Sequence, residues 1–188
     1  MSFLRVLTPV VVASLLAACG MQPVSEAETA PRPPRERIAA FALDGRLAVR
    51  QDQTHHYANI EWRHDTNKDE ILLTTPLGQG VAELSRDARG ARLVTADKEV
   101  VEAADWESLS DRVFGLALPL SGLPRWLLGD VTPTAQDGQG RPQTALASGW
   151  VIRYLDYESP SPAALPVLME FRRDDIELRL KVDAWHLN

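Results

Sequence analysis

The 188-residue chain carries 26 Asp and Glu against 20 Lys and Arg, a formal charge of -6. That acidic balance argues against nucleic acid or anionic lipid as the main partner. No GxxxxGKS/T phosphate loop is present to drive a nucleotide motor, and a single cysteine leaves no internal disulfide.

Residues 1–18 have a short basic start at Arg5 and an apolar run from Val6 to Leu16. The run is shorter than the roughly 20 apolar residues that span a bilayer, and it suits the apolar region of a signal peptide. Leu16-Ala17-Ala18-Cys19 follows directly and resembles a bacterial lipobox. Small residues open the backbone to the peptidase, and the Cys19 thiol is the nucleophile that takes a diacylglycerol. Lipidation also accounts for an odd cysteine in an exported chain. Lipoproteins of this type carry three acyl chains, far more than the marginal anchor of one at about 0.8 kcal/mol per buried methylene. Gly20 rather than Asp after Cys19 favours, by analogy with lipoprotein sorting, the outer membrane over the inner. Residues 19–37, with Pro23, Pro31, Pro33 and Pro34, read as the lipidated N-terminus and a tether. At about 3 Å per residue its reach is at most on the order of 50 Å.

Residues 38–188 read as one domain, mostly β. Leu43 to Arg50 and Tyr57 to Trp62 form a first antiparallel pair, with Ala58, Ile60 and Trp62 on one face. Leu72 to Leu84 is a hairpin whose middle, Pro76-Leu77-Gly78-Gln79-Gly80, is rich in turn residues. Leu77 is anomalous there, because turn tips usually carry residues that suit water. Either it folds back onto the sheet, or it is displayed to meet an apolar partner. A second hairpin pairs Ala91 to Thr95 with Glu99 to Glu102.

Two short helices come next. Asp105 is an N-cap before the stripe Trp106, Leu109, Val113, and Gly115 stops that helix. Ser121 is a candidate cap for the second, with Pro124 in its first turn, Gly129 ending it, and Leu123, Trp126 and Leu127 as its apolar face. Neither is long enough to stand alone, so both must lie on the sheet. Asp130 to Gly149 is poorly patterned beyond a strand near Gln143 to Leu146. Trp150 to Tyr157 and Val167 to Phe171 are strands. In the last, Ile176, Leu178, Leu180, Val182 and Ala184 alternate with charged residues, one face buried and one wet. Trp185 falls on the charged parity, which puts it past the regular strand or over its rim. The fold expected is α+β, a strongly curved antiparallel sheet with helices against its concave side and an apolar cavity between the layers.

Several motifs in order carry a resemblance. They are Gly45-Arg46-Leu47-Ala48-Val49, Trp62, Thr75-Pro76-Leu77-Gly78, Leu118-Pro119-Leu120 with Trp126-Leu127-Leu128-Gly129, Gly149-Trp150 with Tyr154 and Tyr157, and Leu165-Pro166. With the closing strand to Trp185 and the lipobox, this series resembles the LolB family of outer-membrane lipoproteins. The resemblance implies an unclosed β-barrel lidded by helices, whose hydrophobic cavity receives the acyl chains of lipidated passengers from the periplasmic carrier LolA. It also implies a protruding loop with an exposed leucine, which falls on Leu77 between Pro76 and Gly78, at the lipid of the outer membrane's inner leaflet. Trp62, Trp126 and Trp150, then Leu127, Leu47 and Ile60, are the expected cavity lining, although tryptophans in a β domain are often plain core. No cofactor, metal or catalytic residue is expected, and no signal for homo-oligomers is visible, so a monomer is expected.

Two rivals remain at this stage. His55-His56, with Glu61 and His64 nearby, could suggest a metal enzyme. Adjacent strand residues face opposite ways, however, and solvated histidines are the better reading. His186 is read as part of the terminal tail. No GxSxG or HExxH motif occurs. A scaffold lipoprotein would share the anchor and the domain, but it gives no reason for an apolar turn tip.

Overall fold

The computed structural model describes residues 34–114 and 121–187. The leader, Cys19, most of the tether, the Gly115 helix stop and Leu118-Pro119-Leu120 lie outside the described residues. Among the described residues eleven strands form one antiparallel sheet. The chain lays down β1 (Phe41–Gln51), β2 (Thr54–His64), β3 (Asp69–Thr74), β4 (Gly80–Asp87), β5 (Gly90–Thr95) and β6 (Val100–Ala103), each beside the last. Then come α1 (Trp106–Phe114) and α2 (Leu123–Leu128). The return runs through β7 (Pro133–Gln136), β8 (Pro142–Ala147), β9 (Trp150–Tyr157), β10 (Pro166–Arg173) and β11 (Ile176–Leu187), which pairs with β1. The edges β6 and β7 do not pair with each other, so the sheet is unclosed.

The helices bridge the two halves. α1 packs on β5 and β6, and α2 on β10. The Trp106 indole reaches Asp69 of β3, Trp126 stacks on Phe171 of β10 at 6.5 Å, and Ser121 bonds to the Glu107 carboxylate. Period two explains the inner face. Phe41 and Leu43 of β1, Ile60 and Trp62 of β2, Trp150, Ile152 and Tyr154 of β9, and Leu180 and Val182 of β11 are all buried in one apolar cluster with the helices.

Several expectations are corrected. β7 was not anticipated; its four residues are all at least partly exposed, and only pairing with β8 makes it a strand. Ser121 is not the cap of α2: Gly122 occupies that position, and the Ser121 hydroxyl serves Glu107 instead. Asp105 does cap α1, its carboxylate accepting from the Ser108 N–H at 2.7 Å. Trp185 lies inside β11, on the inner face. A bulge pairs Asp44 with Ala184 but Gly45 with Val182, so Asp183 is the extra residue and the parity flips beyond it. Trp185 then lies opposite Leu43, packs edge-on to Phe41 at 5.3 Å, and donates its N–H to the Pro166 carbonyl at 2.9 Å. Gly45 makes the bulge possible, since a Cβ there would meet the Lys181 carbonyl oxygen at 2.4 Å.

Candidate functional site

The tip of the β3–β4 hairpin is a closed turn. The Gly78 N–H donates to the Thr75 carbonyl at 2.8 Å, and the Thr75 N–H to the Gln79 carbonyl at 2.7 Å. The Thr75 hydroxyl accepts from the Gln79 N–H at 3.1 Å, and the Asn59 amide holds the Thr75 carbonyl from β2 at 3.1 Å. Pro76 sets the first corner, and Gly78 at φ 83° takes the left-handed conformation that closes it. With the backbone held this way, the Leu77 side chain is 90% exposed. It does not fold back onto the sheet.

Beneath the helices the apolar layer is continuous. Trp62, Ile60, Trp126, Leu127 and Trp150 are buried in it, and Leu47 packs against its margin. Cross-strand pairing sets Leu43 beside Trp62, Gly45 beside Ile60 and Leu47 beside Ala58. The Tyr154 hydroxyl donates to the Trp126 carbonyl at 2.8 Å and ties α2 to β9. Trp150 is buried with its indole N–H unpartnered. Such an orphan donor in an apolar setting costs about 1–3 kcal/mol.

A polar centre lies at the other end of the sheet, and sequence reasoning missed it. Asp69 is buried at the start of β3. Its carboxylate accepts from the Trp62 indole at 2.9 Å, the Arg86 guanidinium at 2.7 Å and, more weakly, the Trp106 indole at 3.4 Å, and lies 2.6 Å from His64 Nδ1. Burial pushes its pKa up, but the bonds from His64, Trp62 and Arg86 outweigh burial and hold it below the ordinary carboxylate value. His64 is therefore not a solvated histidine; it packs against Phe41 and joins this hub. The available signal was a carboxylate on the same parity as Ile71 and Leu73. Close to the hub, a cleft of about 630 Å³ is lined by Arg35, His64, Asp69, Trp106, Arg125 and Leu128 among others, a mixed rather than apolar wall.

His55 and His56 are exposed neighbours on β2, and among the described residues no group of three or more His, Cys, Asp or Glu is placed to hold a metal ion. His186 belongs to β11 rather than to a tail, and sits 3.0 Å from Asp44. Among the described residues no helix is long and apolar enough to cross a membrane.

The profile of the family described as "Outer membrane lipoprotein LolB" matches residues 39–185. The chain belongs to the LolB family. Relatives agree: the outer-membrane lipoprotein LolB of Azoarcus sp. (strain BH72) is 37% identical over 181 residues, 94% of this chain and 92% of its own. That of Dechloromonas aromatica (strain RCB) is 36% identical over 181 residues, 92% of each chain. That of Nitrosomonas europaea is 38% identical over 173 residues, 88% of this chain and 78% of its own. Among solved structures, an outer membrane lipoprotein-sorting protein domain from Vibrio parahaemolyticus superposes with a TM-score of 0.51 at 10% identity. It covers 81% of this chain and 87% of its own, a likeness of fold. This LolB-family chain is thus an outer-membrane lipoprotein, and its work lies in lipoprotein sorting.

Proposed function

We propose that the chain is anchored through Cys19 to the outer membrane by its lipidated N-terminus, with residues 19–37 as tether and residues 38–188 as the working domain. There it takes lipidated passengers from the periplasmic carrier LolA, shelters their acyl chains between helices and sheet, and delivers them to the inner leaflet. The observation that carries this reading is how apolar surface is divided. A tryptophan-rich layer is enclosed under two short helices, while one leucine is held out on a rigid turn.

Each part has a physical role. A C16 chain in water costs on the order of 12 kcal/mol at about 0.8 kcal/mol per methylene, so it must pass from one apolar shelter to another. Trp62, Trp126, Trp150, Leu127, Leu47 and Ile60 would form the receiving wall once the helices shift from the sheet. The unpaired Trp150 N–H gives the wall a donor for an ester carbonyl of the lipid. Handover runs downhill if this wall binds better than the carrier and the bilayer better than the wall. Leu77, between Pro76 and Gly78, enters the bilayer surface and brings the cavity to the membrane. Two carboxylates or a nucleophile are not required of it; the work is binding, by a single protomer.

The test is transfer. The protein is mixed with LolA loaded with a lipidated passenger, and the passenger's holder is identified by pull-down. Movement to this protein, absent for an unlipidated passenger, is expected; a passenger that stays on the carrier beside a folded receptor sinks the receptor reading. Leu77→Glu should leave receipt intact and lower insertion into liposomes.

A further inference from the structure

The pairing registers sort every turn of the sheet to one of two ends. Residues 52–53, 75–79, 96–99, 148–149 and 174–175 turn at the end that carries Leu77. The turns at 65–68, 88–89, 137–141 and 158–165 lie at the opposite end, where residue 40 leads into β1. Most exposed large apolar side chains follow the same division. Among the described residues Tyr57, Leu77, Val81, Val100, Leu146 and Val151 are within a few residues of a turn at the Leu77 end, and Leu155, 39% exposed, lies toward the other. Leu146 and Val151 form a distinct patch. They are direct cross-strand partners on the outer face of β8 and β9, 65% and 41% exposed, while Ala145 and Ile152 beside them point into the core.

The outer face next to this pair is cationic, although the chain as a whole is acidic. Val151 lies opposite Arg172 of β10. Arg153, Arg172 and Arg179 converge on the single carboxylate of Glu170 at 3.4, 3.2 and 3.7 Å. Arg172 also meets Glu177 at 3.2 Å, and Arg50 meets the same carboxylate at 2.7 Å. Four guanidiniums on two carboxylates still leave positive charge over, on side chains long enough to reach past an apolar contact. An apolar pair rimmed by surplus guanidinium suits the boundary between phosphate headgroups and acyl chains.

The tether makes that surface reachable. From Cys19 to Pro34 the chain can span about 45 Å at ~3.1 Å per residue. The 11 residues of β1 extend about 36 Å at ~3.3 Å each. A lipid at Cys19 can therefore sit in the membrane that the far end of the domain touches.

We propose that Leu146 and Val151, with the arginines beside them, are a second contact with the phospholipid surface, so that the domain stands on the β8–β9 hairpin as well as on Leu77. This rests on the reading of Leu77 as a membrane contact. A second point of support removes one of the tilts that a single leucine leaves free.

The experiment uses the full lipidated protein in phosphatidylethanolamine–phosphatidylglycerol liposomes. Because Cys19 would be acylated, a single introduced cysteine takes an environment-sensitive fluorophore selectively. Leu77→Cys, Leu146→Cys and, from the opposite end, Ala88→Cys are compared with and without brominated acyl chains as contact quenchers. The labels at 77 and 146 should both be quenched severalfold more than the label at 88. If 77 is quenched and 146 matches 88, the second contact is refuted while the reading of Leu77 stands. If neither exceeds 88, both fail. Shielding of the 146 label only on adding the carrier, or only with rising protein concentration, would make the patch a protein interface and overturn the proposal.

Discussion

The hub around Asp69 and the tip at Leu77 break the same rule in opposite directions. One buries a carboxylate and the other exposes a leucine. The difference lies in partners. Asp69 finds its donors within the chain, on β2, β4 and α1, so its burial is a structural device that locks the start of α1 to the sheet. Leu77 has its backbone tied down on every side and its side chain in contact with water. A buried polar group with a full set of bonds serves the fold. An apolar group that the fold holds away from itself is left free to meet something outside it, which on the function proposed above is the bilayer.

That contrast can be broken at several points. The largest effect is expected at the hub. Asp69→Ala strands the partly buried Arg86 guanidinium and two indole N–H groups, and loss of one partner of a buried pair costs about 3–5 kcal/mol. A stability loss read from urea unfolding that is less than a fifth of that would deny Asp69 its role. The same group makes acid sensitivity specific. Its folded pKa lies below its unfolded value near 3.8, so its contribution is complete above that value and disappears as pH falls through the depressed one. Asp69→Asn should flatten the stability profile in that acid window.

A middle-sized effect is expected at the bulge. Gly45→Ala drives a Cβ into the Lys181 carbonyl, and overpacking of this kind costs about 1–3 kcal/mol; thermal unfolding reads it directly. Trp150→Phe removes a buried donor that has no partner but also part of a fully buried ring; the two effects oppose each other, so stability should change by no more than about 1 kcal/mol while affinity for a fluorescent fatty acid drops. A loss of about 3 kcal/mol or more would instead mean that the indole N–H is already satisfied in the folded protein. The smallest effect on stability belongs to Leu77→Glu, within about 0.5 kcal/mol of the parent. A larger loss would show that the tip is part of the fold after all.

Much of this was legible in the residues alone. Alternation places most strands within a few residues, Asp105 marks the start of α1, and a leucine between Pro76 and Gly78 is conspicuous in a turn. These signals are local: which face a residue takes within its own strand, which side chain can cap, which φ a turn demands. Pairing decided the rest. β7 exists because β8 offers an edge. Trp185 faces the core because one extra residue, Asp183, flips the parity of β11 against β1. Asp69 is tolerable inside only because Trp62, His64, Arg86 and Trp106, spread across 45 positions of sequence, arrive at one carboxylate. The shared end of Leu77, Leu146 and Val151 is likewise a property of register, since these residues sit on different hairpins of the same sheet. The sequence by itself determined most of the elements, an anomalous leucine in a turn and the family; the tertiary structure alone decided that this leucine is displayed and which distant residues meet, because strand register and bulges are settled between segments and leave no periodic mark within either one.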